Sequence, residues 1–353
     1  MSAVPKIKQI PLIHEFFEIR LNSIAADFPL AFDVYLVVNS RPTLFRRRGD
    51  TITTQRLKLL QHHGGEKFLV PEDQREFYLQ NIKNFIYNPD SKTDVKSQFI
   101  KESAFLHVHA LFTKPDITDT ITEARGLIEE MVKFVTEDVN AVASLMRLSV
   151  HDYYTYNHCV NVAVYAIALA KRTQGADKEQ LITAGLGGLL HDIGKRKIAH
   201  SLINKKSALD RAEWEEIKRH PTYGRSFLEE LTTLPDETKL IVYEHHENFD
   251  GTGYPNGLKD DGICSLAKVV TIADVFDALT TDRSYHKAMI AKDALNTMFG
   301  MQPGKFDPDV FKSFNKNFEK KPDHSLPPNF DPCSLNAPRD VQAAMNVLRY
   351  KRK

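Results

Sequence analysis

The sequence predicts an α+β fold in which a small mixed module precedes an all-α domain. Over residues 1–87, short runs of β-branched and aromatic residues alternate with helical patterns. The stretch YNPDSKTD (87–94) is polar, contains a proline and lacks periodicity, which is typical of a linker. Beyond it, apolar residues recur with helical spacing to about residue 320, and almost no strand pattern interrupts them.

The elements of the first module are predicted from local composition. Strands are expected at 32–38, 42–47 and 66–70. A helix is predicted over 53–65 because that segment ends in glycines, and another over 71–86 because it begins with proline. His62 and His63 are interpreted as helix-end residues rather than ligands, since a positive charge is favourable there. We find no catalytic constellation in this module.

The second domain is predicted from segments with helical apolar spacing. They are 96–113, 115–150, 155–173, 177–190, 210–219, 221–231, 235–246, 264–280, 287–300 and 307–318. The chain is accordingly divided into an α+β regulatory module, a helical connector, the main helical domain and a proline-rich tail with a short terminal helix. These parts are placed at 1–94, 95–150, 151–320 and 321–353.

The connector contains an apolar stripe within EARGLIEEMVKFVTEDVNAVASLMRL (123–148). The residues of the stripe are Leu127, Met131, Phe134, Val135, Val142, Leu145 and Met146. Two interpretations stay open. The stripe packs on its own domain, or it pairs two copies of the chain and carries a signal from the first module. The second interpretation predicts a homodimer.

Composition narrows the class of protein. The 353 residues are 42% hydrophobic and 26% charged, and the formal net charge is +1. This balance gives no reason to expect binding to a nucleic acid polymer or a membrane surface. No run of apolar residues is long enough for a transmembrane helix, and the N-terminus lacks a signal-peptide core. Three cysteines without CxxC spacing fit a reducing compartment, so a cytoplasmic protein is expected.

Five histidines and two aspartates of the helical domain fall where a helix face is otherwise apolar. They are His158, His191, Asp192, His220, His245, His246 and Asp274. Asp274 is the hardest to explain without a partner, because it interrupts the apolar helix CSLAKVVTIADVFDALT and a buried carboxylate needs a counter-charge. His220 is expected to close the helix DRAEWEEIKRHP, which Pro221 would stop.

Together these side chains predict a metal centre. A single histidine on an apolar face is more often a hydrogen-bonded core residue, but so many titratable groups in one core favour metal binding. Imidazole and carboxylate suit Fe, Mn, Zn or Ni, and the set exceeds the needs of one ion. We therefore expect a dinuclear centre, with Asp192 as the bridging carboxylate because it lies beside His191 in the middle of the set.

A flexible loop and two cations accompany the set. NFDGTGYPNGLKDDGI (248–263) contains four glycines and a proline, a composition that permits close backbone approach to a ligand rather than a simple turn. Lys195 and Arg283 are placed as a phosphate group would require, although solvated surface charge is the default interpretation for either.

Five motifs give the chain a resemblance to a known family. They are HDIGK (191–195), HPTYG (220–224), HHENFDGTGYPNGL (245–258), ADVFDALTTDRSYHKA (273–288) and GKFDPDVFKSF (304–314). In order and spacing they resemble the HD-GYP family of phosphodiesterases, a branch of the HD superfamily, over roughly residues 150–318. The resemblance implies a five-helix HD core, a di- or trinuclear metal centre and hydrolysis of cyclic di-GMP to pGpG, GMP or both.

The resemblance also implies roles for individual residues. The seven histidines and aspartates would be metal ligands, and Asp192 and Lys195 would be catalytic. Lys195 and Arg283 would contact substrate phosphates, and Gly253, Tyr254 and Pro255 would form the substrate loop. The ions, with Fe or Mn expected before Zn or Ni, would activate a water for in-line attack on phosphorus.

Two positions depart from the family pattern. Members with three metals typically carry a glutamate four residues before the first ligand histidine, where this chain has Tyr154, so two ions are expected. Ser284 replaces the usual proline after the motif arginine and should affect only local turn geometry. Two alternative functions stay open: a receptor that binds the dinucleotide without cleaving it, and a hydrolase of another cyclic dinucleotide such as cyclic GMP-AMP.

Overall fold

The computed structural model describes residues 15–62, 67–147, 154–173, 175–205, 207–281, 288–302 and 304–319. The predictions for His63, Arg283, Ser284 and the tail 321–353 lie outside these residues. Chain contacts divide the protein into two compact units, Met1–Ser103 and Ala104–Lys353. The predicted fold class, a small α+β module followed by a helical domain, is confirmed.

The first unit contains an antiparallel sheet in the order β1-β4-β2-β3. Its strands are β1 (Phe16–Arg20), β2 (Val34–Val38), β3 (Arg41–Arg46) and β4 (Lys67–Pro71), and its complete helices are α1 (Thr54–His62) and α2 (Arg75–Tyr87). Strand β1 was not predicted from composition. Tyr78 of α2 packs edge-on against Phe17 of β1 and against Phe32, so the helix covers one face of the sheet.

Helices make up the second unit, which the long helix α3 (Thr93–Thr113) enters from the first. They are α4 (Thr118–Glu137), α5 (Ala141–Arg147), α6 (Tyr154–Thr173), α7 (Lys178–Leu190), α8 (His200–Ile203), α9 (Arg211–Ile217), α10 (His220–Leu228), α11 (Asp236–Glu244), α12 (Ser265–Thr280), α13 (Ala291–Met301) and α14 (Pro308–Glu319). Among the described helices, none combines the length and apolarity needed to cross a membrane.

Glycines bring helix α7 close to its neighbours. A Cβ atom on Gly188 would lie 2.8 Å from the Cα atom of Ala163, so α6 and α7 cross with their backbones almost in contact. A Cβ atom on Gly185 would lie 2.8 Å from a methyl carbon of Ile128, which belongs to α4. The helix that ends at the HDIGK motif is therefore held in the middle of the helical core.

The apolar stripe of the connector is core within this single chain. Met131 is fully buried, and Leu127, Phe134 and Val135 are less than a tenth exposed. Leu145 is fully buried as well. These five side chains therefore pack on their own chain, as the first of the two interpretations held, whereas Val142 and Met146 are half-buried.

Two helix boundaries differ from the sequence predictions. The segment 115–150 was predicted as one helix, but α4 ends at Glu137, and the amide of Asn140 bonds to the Asp138 side chain before α5 begins. His220 does not close α9, which ends at Ile217. It begins α10, with Pro221 in the first turn, where a missing N–H costs nothing.

Candidate metal centre

Five helices bring the seven predicted side chains together. The side chains are His158 on α6, His191 and Asp192 directly after α7, His220 at the start of α10, His245 and His246 directly after α11, and Asp274 on α12. Six of the seven are buried, and His246 is half-buried. Because the five helices that carry them are separated in sequence, only the tertiary fold brings the seven side chains together.

The potential ligand atoms form two groups. The first comprises His158, His191 and Asp192, and the second comprises His220, His245 and His246. Within each group the ligand atoms lie within 4.8 Å of one another, a spacing that one cation could bridge. The described side chains thus offer the donors for two ions rather than one.

Asp192 lies between the two groups. Its Oδ2 atom is 3.3 Å from Nε2 of His191, whereas its Oδ1 atom is 3.4 Å from Nε2 of His220. Each carboxylate oxygen therefore faces a different group. This is the geometry that a bridging carboxylate would need.

Asp274 adds a second carboxylate to the first group. Its Oδ1 atom is 3.1 Å from Nε2 of His158 and 4.0 Å from Nε2 of His191. The buried aspartate of α12 thus has the imidazole partner that its burial demanded. The first group consequently carries more negative charge than the second, which is built from three imidazoles.

Hydrogen bonds at Nδ1 aim several of the rings. His191, His220 and His245 bond through Nδ1 to the carbonyl oxygens of Gly188, Ile217 and Val242, at 2.8–2.9 Å. Each carbonyl lies three residues earlier, so the end of a helical turn fixes the ring. Such contacts hold Nε2 towards the centre of the site, as in metal-binding histidines generally.

His158 differs because a carboxylate orients its ring. Oδ2 of Asp277 lies 2.7 Å from its Nδ1 atom, and Asp277 is completely buried. Asn161 and Thr281 donate to the other oxygen of Asp277 at 2.8 and 3.0 Å. Sequence reasoning missed Asp277, although its position three residues after Asp274 on the same helix was a usable signal.

Gly194 allows the HDIGK turn to approach helix α10. A Cβ atom there would overlap the carbonyl oxygen of His220 and the amide nitrogen of Gly224. Only glycine therefore permits this contact. It brings Asp192, two residues earlier, to the side chain of His220.

Charge and burial set the protonation of these groups. Burial opposes ionisation of Asp192, but the Lys195 ammonium and His191 outweigh it and hold the pKa of Asp192 well below its usual range. Burial lowers the pKa of His220 to about 4, so this imidazole is neutral and able to act as a ligand. For His158, burial is outweighed by the carboxylates of Asp274 and Asp277, which raise the pKa to about 9, so an ion bound there would have to displace a proton.

Two buried polar atoms test whether these residues fit a metal. Nε2 of His191 and Oδ1 of Asp192 are buried without a hydrogen bond in the described part of the chain. A buried polar atom destabilises the folded state unless a hydrogen-bond partner or an ion pairs with it. Both atoms point at the other candidate ligands, and the donor set of imidazole and carboxylate suits a divalent transition metal. The residues present therefore fit the implied ions.

The loop that was predicted to bind substrate lies against the second group. The ring of Tyr254 packs 4.8 Å from the ring of His246, and burial raises the pKa of its phenol well above the usual value. A Cβ atom on Gly253 would overlap the backbone of Glu247 and Asn248. The predicted Gly253-Tyr254-Pro255 segment is therefore adjacent to the candidate ligands.

Glu247 fixes the far side of this loop and was also missed. It is 2% exposed, and its carboxylate accepts hydrogen bonds from the backbone amides of Asn256, Gly257 and Leu258 at 2.7, 3.1 and 3.0 Å. Three amide donors satisfy a buried carboxylate without a cation. The residue directly after His246 thus ties the loop to the ligand segment.

Of the two predicted phosphate-binding cations, the structure describes one. Nζ of Lys195 lies 2.6 Å from Oδ2 of Asp192, at the edge of the first group. Arg283 lies outside the described residues.

The comparisons with known proteins agree with this geometry. Residues 145–310 match the HD domain family. The chain is 39% identical over 193 residues to "Cyclic di-GMP phosphodiesterase PA4108" of Pseudomonas aeruginosa, which covers 55% of this chain and 46% of that protein. It is 35% identical over 170 residues to "3'3'-cGAMP-specific phosphodiesterase 3" of Vibrio cholerae, covering 48% of this chain and 36% of that protein. The matched region thus spans less than half of either relative.

A solved structure shares the fold. Bd1817, described as an HDG"Y"P protein from Bdellovibrio bacteriovorus, superposes with a TM-score of 0.71 and 22% identity. The match covers 86% of this chain and 99% of that one. The quoted motifs, the two ligand groups and these relatives lead to the same assignment. Residues 145–310 of this chain match the HD domain family, and the chain shares its fold with Bd1817.

Proposed function

We propose that the chain is a metal-dependent phosphodiesterase that hydrolyses a cyclic dinucleotide, with cyclic di-GMP as the first candidate substrate. The observation that carries the proposal is the position of Asp192, one oxygen facing each ligand group, with Lys195 beside it. The names of the relatives support the substrate class.

The chain's own residues have distinct parts in this reaction. The seven histidines and aspartates would hold two divalent ions, which supply a Lewis acid and lower the pKa of an attacking water. Asp192 orients Lys195, whose ammonium is placed to neutralise charge on a phosphate oxygen in the transition state. Tyr254 and its loop would confine the substrate against the His246 side of the centre.

Two other functions remain alternatives. A relative specific for 3'3'-cGAMP makes hydrolysis of that cyclic dinucleotide a second candidate activity. A receptor that binds without cleaving is disfavoured, because each of the two groups offers three potential metal ligands. Regulation by residues 1–94, homodimerisation and a cytoplasmic location stay predictions. Because five of the seven stripe residues are buried within the chain, the stripe gives little support to a dimer.

Product analysis tests the proposal. The protein, loaded with Mn²⁺ or Fe²⁺, is incubated with cyclic di-GMP and separately with 3'3'-cGAMP, and the products are separated by chromatography. We expect linear pGpG or GMP from cyclic di-GMP, and no product from the Asp192→Ala variant. Binding of the dinucleotide without any product would favour the receptor, and turnover of 3'3'-cGAMP alone would favour the second substrate.

A further inference from the structure

Arg196 is a half-buried cation close to the metal centre in sequence, and no motif assignment uses it. It belongs to the 3-10 turn Ile193–Lys197, which begins directly after Asp192. Its side chain reaches the end of helix α3, where Nη1 donates to the carbonyl oxygen of Leu111 and Nη2 donates to that of Lys114, each at 2.5 Å. One guanidinium therefore ties the turn to a helix that is distant in the sequence.

The end of helix α3 lacks a backbone donor that this guanidinium replaces. In a continuing helix the carbonyl of Leu111 would accept a hydrogen bond from the amide of residue 115, but Pro115 has no N–H. Leu111 is fully buried, so water cannot supply the missing donor. A positive charge is also favourable at the C-terminal end of a helix. Both the donors and the charge of Arg196 thus suit this position.

The turn is short and internally bonded, so the position of Arg196 affects the residues before it. The amide of Lys195 donates to the carbonyl of Asp192 at 2.9 Å, and the amide of Ile198 donates to the carbonyl of Lys195 at 3.0 Å. Within the same segment, Nζ of Lys195 lies 2.6 Å from Oδ2 of Asp192. A displacement of Arg196 would therefore move the Lys195 ammonium.

The same part of α3 contacts a second segment that supplies the first ligand group. Three aromatic rings on one face of α3 lie 5.5–5.6 Å, between ring centres, from the ring of Tyr156. They are Phe105, His109 and Phe112. Tyr156 lies on α6, two residues before His158. The end of α3 thus supports α6 through Tyr156 and the turn after α7 through Arg196.

We propose that Arg196 is a positioning residue for the proposed hydrolysis and acts through Lys195. By fastening the turn to α3, it holds the Lys195 ammonium beside Asp192, where charge would develop on the attacked phosphate. Because Arg196 is directed at the end of α3, its loss should lower kcat and leave KM nearly unchanged. This inference rests on the proposed function, since it presumes that Lys195 acts on a phosphate.

Replacement of Arg196 tests this role in kinetics. For Arg196→Met we expect kcat for cyclic di-GMP to fall about tenfold with KM within about twofold, because a small displacement of a catalytic group slows a reaction by at least this order. Arg196→Lys keeps the charge but not the paired donors, and its loss should be smaller. Lys197→Met is the matched control. It removes an exposed cation of the same turn, which lies over the ring of Tyr223, and should keep the wild-type kcat.

A double variant tests whether Arg196 acts through Lys195. Lys195→Gln combined with Arg196→Met should be no slower than Lys195→Gln alone, because the group that Arg196 positions is already absent. If the two losses multiply instead, Arg196 does not act through Lys195 and the inference is overturned. If thermal unfolding shows that Arg196→Met is not folded, Arg196→Lys takes its place in the same comparison.

Hydrogen exchange followed by mass spectrometry gives a readout that does not depend on activity. The amides of residues 193–198, which include the bonded amides of Lys195 and Ile198, should exchange faster in Arg196→Met than in wild type or Lys197→Met. Equal exchange, or an unchanged kcat in an active enzyme, would overturn the inference and leave the proposed function intact. A wild-type protein that cleaves no cyclic dinucleotide would refute the proposed function and this inference together.

Discussion

Asp277 and His158 form a buried carboxylate–imidazole pair, with 2.7 Å between Oδ2 and Nδ1. They are separated by 119 positions in the sequence. Neutral carbonyl groups orient His191, His220 and His245. Because the partner of His158 is a charged carboxylate, it polarises this ring more strongly than a carbonyl would. A carboxylate in this position makes a histidine a better metal donor.

Asp277→Asn should therefore weaken metal binding while the fold persists. We expect the affinity of the ion held by the first group, which includes His158, to fall by about 10- to 100-fold, the range typical for loss of such a partner. Competition with a chromophoric chelator measures this affinity without any enzymatic assay. Asp119→Asn, an exposed aspartate in the first turn of α4, is the control. Unchanged affinity in Asp277→Asn would show that the pair serves packing alone.

Asp192→Ala should remove metal from both groups. The substitution deletes the oxygens that face His191 and His220, so neither group retains its full donor set. Elemental analysis of the purified variant should find little metal, and activity should be lost. Lys195→Gln is the comparison, because it should lower activity while metal stays bound. Normal metal content in Asp192→Ala would contradict the proposal that Asp192 bridges the two ions.

Two metal ions per chain are expected. Tyr154, the first residue of α6, lies one helical turn before His158 and has no carboxylate to offer a third ion. Elemental analysis of wild type should therefore give a stoichiometry near two, and Tyr154→Glu should raise it. A value near three in wild type would contradict this interpretation of Tyr154.

Gly194→Ala should disrupt the centre through the backbone. Its methyl group would overlap the carbonyl of His220, so the turn and α10 must separate, at a cost of about 1–3 kcal/mol or more. Thermal unfolding should show a lower Tm, and metal content should fall. Gly126→Ala in α4 has no atom within 4 Å of the new carbon and should be neutral or stabilising. Equal Tm shifts in the two variants would argue against the close approach.

Glu247→Gln should loosen the substrate loop. An amide in place of the carboxylate turns one acceptor into a donor that faces backbone N–H groups, leaving a buried polar conflict. Hydrogen exchange followed by mass spectrometry should show faster exchange at the amides of residues 256–258. Exchange as slow as in wild type would mean that other contacts hold the loop.

Residue pattern was enough to predict most of the elements and to single out the candidate ligands, but strand β1 and the residues that support the ligands were missed. Asp274 stood out because a charge interrupted an apolar helix, and the structure places it beside His158. Asp277 gave only the weaker signal of its position three residues after Asp274, and Glu247 gave none, since both roles depend on partners brought near by the fold. The prediction that Pro221 ends a helix was wrong for a related reason. Proline breaks the interior of a helix but is accepted in its first turn, and the sequence alone did not show which position Pro221 occupies.

The candidate ligands come from five helices spread over much of the HD domain. Ions held by all of them would act as cross-links that close long loops of chain, and their binding free energy would add to the stability of the folded state. A chain that lacks them would open more often and meet proteases more readily. The supply of metal would therefore determine the abundance of this protein as well as its rate of turnover.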